Sequence, residues 1–274
     1  MSTAVQLKSV SKSFSNPGMV SIDRSLRNNG RSSQSRLGLG DSQLVWAIKD
    51  LSFTVQQGEI FGIAGLKGAG KSTLIRLLAA VIQPDAGELR IYGYDVTRHP
   101  RQIQGLTNLV SVEASFYKKL SLMENLLNCA RLYGIKRADA SRRVEDILVR
   151  LGFSKNDRQS AMEELPRERM RMVSIAQALL SRPRLLLMDD KFAGLKAYDK
   201  REVFALIQEL RYQFGSTAVV TSSKADELND LCDHIVYLDK GKLLEFNSPA
   251  RDYENFTQLN KQLVLSGIAC DEPF

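Results

Sequence analysis

Little in this chain of 274 residues points to an extracellular or membrane-spanning protein. Cysteine is scarce. Cys129, Cys232 and Cys270 lie far apart, which suggests neither a disulfide framework nor a zinc site and fits a reducing cytosol. No apolar run approaches the roughly 20 residues of a membrane span; Leu77-Leu78-Ala79-Ala80-Val81-Ile82 is far too short. No signal-peptide pattern follows Met1. The two histidines, His99 and His234, fall in no motif and read as surface or packing residues. Acidic residues are outnumbered, 31 against 38 Lys and Arg, for a net charge of +7 and a pI near 9.3. That balance permits contact with nucleic acid or an anionic membrane face, and equally describes a soluble basic surface. Basic residues are not interleaved with aromatics, so nucleic acid is not the expected partner. What is present is 43% hydrophobic residues, which supports a real core, in a length that suits one large domain or two small ones.

The chemistry-bearing motif is Gly65-Leu66-Lys67-Gly68-Ala69-Gly70-Lys71-Ser72-Thr73, a full G-x-x-x-x-G-K-[ST] loop. Its glycines let the backbone curl so that successive N–H groups face phosphate oxygens with no Cβ in the way. A helix starting near Lys71 adds a positive N-terminal dipole. Lys71 is expected to reach the β- and γ-phosphates, and the Ser72 hydroxyl to bind Mg²⁺. Context supports the motif. Glu59-Ile60-Phe61-Gly62-Ile63-Ala64 is the apolar run of a buried strand, and Leu74, Leu77 and Leu78 have helical spacing.

Around the loop the period alternates between strand and helix. Val5, Leu7 and Val10 hint at a first strand. Residues 15–42 lose the apolar pattern, carry Arg24, Arg27, Arg31 and Arg36, and read as a flexible basic insertion. Leu51, Phe53 and Val55 alternate ahead of a turn at Gln56-Gln57-Gly58-Glu59, and Leu89–Tyr94 reads as a hairpin strand. From Ser121, which forms a capping box with Glu124, the pattern turns helical. The stripe Val144, Ile147, Leu148, Leu151 stops at Gly152. Residues 115–182 are therefore expected to form a helical insert in an α/β core with a mostly parallel sheet and an N-terminal antiparallel β subdomain. Leu185-Leu186-Leu187-Met188-Asp189-Asp190 suits a strand buried on both faces. A helix near 199–214, a strand at Ala218–Thr221, a helix near Asp226–Leu231 and a hairpin through Asp239-Lys240-Gly241-Lys242 complete a domain over 1–250, with 251–274 as a tail.

In motif order the chain resembles the nucleotide-binding subunits of ATP-binding-cassette (ABC) transporters, over about residues 1–14 and 44–250. The resemblance rests on Trp46–Phe53, Gly58-Glu59-Ile60, the phosphate loop and Gln83–Glu88. It continues through Leu120–Leu126, Ile175–Leu179, the strand at 185–190 and Leu231-Cys232-Asp233. Weakly, the opening stretch looks like members serving polysaccharide or lipid-linked export. The resemblance implies ATP and Mg²⁺ as cofactors, and a separate integral membrane permease as partner. It further implies a homo- or hetero-dimer with another cassette, and a cytoplasmic place on the inner membrane face through that permease. In this family each ATP lies between the phosphate loop of one cassette and the signature segment of the other.

Carried over residue by residue, the metal positions are Ser72 and Asp189. The general-base position holds Asp190, shorter than the family's Glu by one methylene, about 1.5 Å, where misplacement by about 1 Å costs on the order of 100-fold in rate. Asp190 is therefore a weak base or only an electrostatic neighbour. Val112 takes the glutamine-loop position with Glu113 beside it. Leu165-Pro166-Arg167-Glu168-Arg169 stands where the family has Leu-Ser-Gly-Gly-Gln. It reads as a helix start with Pro first, although Arg167 and Arg169 could meet a phosphate as point charges. Ser223 replaces the switch histidine and, with Asp226 after it, reads as a helix cap. Lys191-Phe192-Ala193-Gly194-Leu195-Lys196 lacks the family's Pro and closing Asp. Phe14, or alternatively Trp46, is the adenine-stacking candidate unless both are core. Weak or absent hydrolysis follows as the expectation. The other readings are an ATP-binding switch acting on nucleic acid or a soluble partner and, more distantly, a P-loop kinase, for which no acceptor site is visible.

Overall fold

Apolar runs of five or six residues become the buried strands of the core. The computed structural model describes residues 2–15, 44–110 and 116–244. The insertion from residue 16 on, Val112 with Glu113, and the 251–274 tail lie outside the described residues. The strands β1 (Thr3–Ser15), β2 (Leu44–Gln56), β4 (Ala86–Ile91) and β5 (Tyr94–Asp95) form an antiparallel sheet in the order β2-β1-β4-β5. A second sheet of six strands runs β10-β9-β3-β8-β7-β6, built from β3 (Ile60–Ala64), β6 (Thr107–Val110), β7 (Leu185–Asp189), β8 (Thr217–Ser222), β9 (His234–Asp239) and β10 (Lys242–Leu244). All its pairings are parallel except the β9–β10 hairpin. Lys240 and Gly241 turn that hairpin with φ of 45° and 79°, the left-handed pair that a tight two-residue turn needs.

The parallel sheet separates two cores. Ile60, Leu186, Met188, Ala218 and Val220 face one; Phe61, Ile63, Leu185, Leu187 and Val219 face the other. The alternation follows from the period of two along each strand, and burial on both faces explains why β3, β7 and β8 are apolar without a break. The first core includes α6 (Arg167–Leu180) and α7 (Ala197–Phe214), the second α1 (Lys71–Leu78) and the antiparallel sheet. Leu74, Leu77 and Leu78 of α1 are completely buried, each worth about 1.5–3 kcal/mol of transfer free energy.

The expected helical insert is present as α3 (Leu122–Leu132), α4 (Arg137–Arg150), the short α5 (Lys155–Gln159) and α6. The Ser121–Glu124 capping box forms at the start of α3, and a second box, Ser154–Asp157, starts α5. Val144, Ile147, Leu148 and Leu151 are buried as their spacing requires, and Gly152 ends the run at φ 70°. α7 stops at Gly215, a left-handed C-cap. The short helices α2 (Pro100–Leu106) and α8 (Asp226–Asn229) and a 3₁₀ turn at Met162–Glu164 complete the description.

Candidate functional site

The carboxyl ends of β3, β8 and β7 lie side by side, with Ala64 paired to Ser222 and Asp189 to Thr221. Residues that leave these strands therefore meet in one crevice, the usual place for a ligand in a parallel sheet. Out of β3 comes the loop Gly65–Gly70, and α1 begins at Lys71. Gly68 and Gly70 have φ of 86° and 105°. A methyl at Gly70 would lie 2.3 Å from the Ala47 carbonyl of β2, and one at Gly65 would lie 2.3 Å from the Leu238 carbonyl of β9; at Gly68 it would meet no protein atom within 4 Å. Gly241 completes the clamp: its N–H donates to the Ala69 carbonyl at 2.9 Å and its carbonyl accepts from Lys49 N–H at 2.8 Å. The loop is thus held from below by two strands and one turn.

No side chain caps α1, so its first N–H groups have no side-chain partner, which is the donor set an anion needs. Leu66, Lys67, Gly68 and Ser72 are exposed, Gly65, Gly70 and Thr73 half-buried, and Ala69 buried. Lys71 is buried. Its ammonium donates to the carbonyls of Gly65 at 2.6 Å and Leu66 at 3.0 Å, and to the Ser223 hydroxyl at 3.3 Å. Burial pushes its pKa down, and Asp190 and Asp189 oppose that.

Thr221, fully buried, organises the two carboxylates. Its hydroxyl donates to Asp189 at 3.0 Å and accepts from Asp190 N–H at 3.1 Å. Asp190 itself has φ 49°, a left-handed conformation that Asp tolerates better than most residues. Its carboxylate accepts from the Ser223 hydroxyl at 3.1 Å and from Ser223 N–H at 3.3 Å. Lys71, Ser223 and Asp190 therefore form one connected chain. Ser223 is not a helix cap: α8 starts after Ala225 with no side-chain cap, and it is the Ser222 hydroxyl that accepts from Lys224 N–H at 3.0 Å. The crowded strand ends, invisible in a linear S-x-x-D pattern, claim Ser223 first.

At the signature position Pro166 is the N-cap and the helix starts at Arg167, one residue later than expected. Arg167 and Glu168 are exposed. Arg169 is not available as a point charge for a phosphate. Its guanidinium donates to the Gly152 carbonyl at 2.8 Å, pairs with Asp157 at 3.2 Å and lies 4.2 Å from the Phe153 ring centre. Neither aromatic candidate is core. Phe14 is 44% and Trp46 43% exposed, opposite Val45 and Ser13 in the β1–β2 register. Trp46 adjoins Ala47, whose carbonyl packs on Gly70. Of the two histidines, His234 is exposed and bonded to Glu59 at 2.5 Å, and His99 precedes α2.

Sequence reasoning named Lys191 only as a departure from the family pattern. It is 3% exposed, and burial first, then Arg171, bring its pKa down to about 8, while Asp189 and Asp190 raise it; at pH 7 it remains mostly protonated. Its neighbours in sequence, Asp189 and Asp190 before it and Phe192 after it, do not mark it as buried. The Arg171 guanidinium, from α6, donates to the Ala193 carbonyl and so ties that helix to the segment after Asp190.

A sequence profile described as ABC transporter matches residues 48–193. The ABC transporter ATP-binding protein NatA of Bacillus subtilis is 30% identical over 205 residues, which are 74% of this chain and 82% of NatA. The linearmycin resistance ATP-binding protein LnrL of the same organism is 28% identical over 197 residues, 72% of this chain and 63% of LnrL. Among solved structures, the dimeric post-hydrolysis state of the cassette MJ0796 bound to ADP and Pi aligns with a TM-score of 0.72 at 19% identity, over 90% of this chain and 99% of that one. By sequence match and by fold, the chain belongs to the ABC transporter family as one of its ATP-binding cassettes.

Proposed function

We propose that this cassette binds ATP in the Gly65–Thr73 loop and couples that binding, with weak or absent hydrolysis, to a separate membrane permease. The observation that carries the first half is the clamped glycine loop at the strand ends, with uncapped helix N–H groups and a buried lysine. Phe14 or Trp46, both exposed at the rim, would stack on adenine. Ser72, exposed, and Asp189 would hold Mg²⁺. Two oxygen donors suit an ion that arrives with the phosphates, and among the described residues no cluster of three or more His, Cys, Asp or Glu offers a resident site. When bound, that ion would draw electron density from the phosphate oxygens.

The second half rests on Asp190 and the 165–169 segment. Asp190 is short, left-handed and already engaged by Ser223. Pro166 offers no N–H, Glu168 brings negative charge, and Arg169 is turned back into its own subdomain. A dimer with a second cassette would therefore receive a poor signature segment from this chain. No described helix is long and apolar enough to cross a membrane, so a permease would be a separate chain or lie outside the described residues. We place the protein on the cytoplasmic side of the membrane through that partner.

The test is nucleotide binding and turnover on the purified protein, with and without co-expressed membrane partners. ATP should bind, Lys71→Ala should abolish binding, and turnover should stay below about 1% of the 1–10³ s⁻¹ of ordinary enzymes. Ordinary turnover rejects impaired hydrolysis. Unchanged binding by Lys71→Ala rejects the loop assignment.

A further inference from the structure

The α3–α4 pair lines a cavity that shares no residue with the phosphate loop or the strand ends. Its volume is about 580 Å³, within the roughly 300–1,000 Å³ of small-molecule sites. Leu120, Leu127, Ile135 and Ala140 give it an apolar floor. Its charges are not spread evenly. Glu124 and Arg131 both line it from α3, and their spacing of seven residues sets them about 10 Å apart along the helix axis. α3 ends at Leu132 and α4 begins at Arg137, so the turn between them brings Arg137 to the Arg131 end.

The two signs of charge also differ in what they are used for. Glu124 accepts from the Ser121 N–H and from the Ser121 hydroxyl, both at 2.8 Å, and so closes the capping box of α3. Asp139, in the first turn of α4, accepts from Arg142 at 2.9 Å. Arg131 and Arg137 are exposed, and neither makes a hydrogen bond or ion pair with a described residue. The local carboxylates are thus committed and the two guanidiniums are not. An apolar floor with two uncommitted guanidiniums at one end is complementary to a molecule with an apolar body and an anionic head. A carboxylate there would accept charge-assisted hydrogen bonds in the fork geometry that arginine offers. A cationic head would be repelled.

We propose that this cavity binds a small amphipathic monocarboxylate, with its apolar chain on the Leu127 and Ile135 floor and its carboxylate between Arg131 and Arg137. The site is separate from the phosphate loop, so the proposal stands whether or not the ATP reading does.

The experiment titrates octanoate, hexanoate and octanol into the full chain by ligand-observed NMR, with and without saturating ATP. Octanoate should bind saturably, one per chain, and ATP should leave its affinity unchanged within about threefold. Hexanoate, two methylenes shorter, should bind about tenfold more weakly. Octanol, with the same chain and no charge, should also bind about tenfold more weakly. The double variant Arg131→Gln with Arg137→Gln should lose about tenfold for octanoate and nothing for octanol. Both changes are at exposed positions, and circular dichroism should confirm an unchanged fold. No saturable octanoate binding by the wild type overturns the proposal. So does a double variant that binds octanoate as tightly as the wild type, octanol or hexanoate bound as tightly as octanoate, or displacement of octanoate by ATP. An acidic amphipathic peptide of Glu and Leu is the competing occupant. Binding of that peptide where octanoate fails makes the groove a protein-docking surface and overturns the small-molecule site.

Discussion

Three glycines of the phosphate loop separate two physical effects that are usually confounded. At Gly68 the backbone is left-handed at φ 86° but an added methyl meets no protein atom within 4 Å. The change to Ala therefore costs only backbone strain, about 1–2 kcal/mol, reduced by the 0.4–1 kcal/mol that Ala gains by restricting the unfolded chain. Gly65 is the converse. Its φ is not left-handed, yet the methyl would lie 2.3 Å from the Leu238 carbonyl and 3.2 Å from Ala69 Cβ. Backbone must move by about 1 Å, at an overpacking cost of about 1–3 kcal/mol before the same unfolded-chain gain, which is common to all three variants and leaves their ranking unchanged. Gly70 combines both, with φ 105° and the Ala47 carbonyl at 2.3 Å, so about 2–5 kcal/mol is expected. Chemical denaturation should rank Gly70→Ala below Gly65→Ala, and Gly65→Ala below Gly68→Ala, in stability. The melting temperature should move by about 2–4 °C per kcal/mol. ATP affinity should rank differently: Gly68→Ala stays folded but binds poorly, because its methyl faces the space that phosphate needs. If Gly65→Ala is as stable as Gly68→Ala, the clamp between the loop and β9 is wrong.

Three more outcomes follow from the same geometry. Trp46 is the only tryptophan and sits exposed beside Ala47, so ATP should shift its emission; Phe14→Ala should weaken binding only if Phe14 is the stacking residue, and an emission spectrum unchanged by saturating ATP refutes proximity of Trp46. Asp190→Glu should raise turnover by about tenfold through added reach and lower stability by about 1 kcal/mol through its left-handed backbone; a rate no higher than wild type shows that reach is not the limiting defect. Asp85 accepts from Lys12 at 2.6 Å and from Ser13 N–H at 2.7 Å, which hold its carboxyl at about 2. Because that value lies below the ordinary one, the stability it contributes is present above about pH 4 and is lost as pH falls towards 2. The Asp85 side chain is 35% exposed, so solvent screening limits the effect of Asp85→Asn to about 1 kcal/mol at pH 7. Denaturation at pH 7 and pH 2 should show that difference closing, and a pH-independent difference refutes the assignment.

Much of the fold is legible in local chemistry. Strands β3, β7 and β8 announce themselves as unbroken apolar runs, and the ends of α4 and α7 as glycines. The capping box at Ser121 needs only three residues to be read. What the sequence cannot display is which strand ends become neighbours. Ser223 looked like a cap because S-x-x-D is a local pattern, whereas its actual partners, Asp190 and Lys71, arrive from distant segments through the β3–β8–β7 order. Arg169 looked free for the same reason; its partners lie in the α4–α5 connection and in α5. Lys191 stands in a segment marked only as lacking the family's Pro and closing Asp, and nothing linear reports that its side chain is buried. The second capping box, at Ser154 and Asp157, follows the same S-x-x-acid rule and went unread beside the stronger stripe of α4.

The β1–β2 pairing continues to Ser15 and Leu44, which sit opposite each other at the end of the hairpin. Everything between them is therefore spliced into a junction whose two ends are already joined by the ladder. Closing a loop of roughly 28 residues instead of roughly four costs only about 1.7 kcal/mol in chain entropy. Replacing residues 16–43 by a short turn should leave both sheets intact and the protein slightly more stable. By the same arithmetic, a folded module with adjacent termini could be grafted at this junction, a few residues from Phe14 and Trp46, as a reporter on the nucleotide rim.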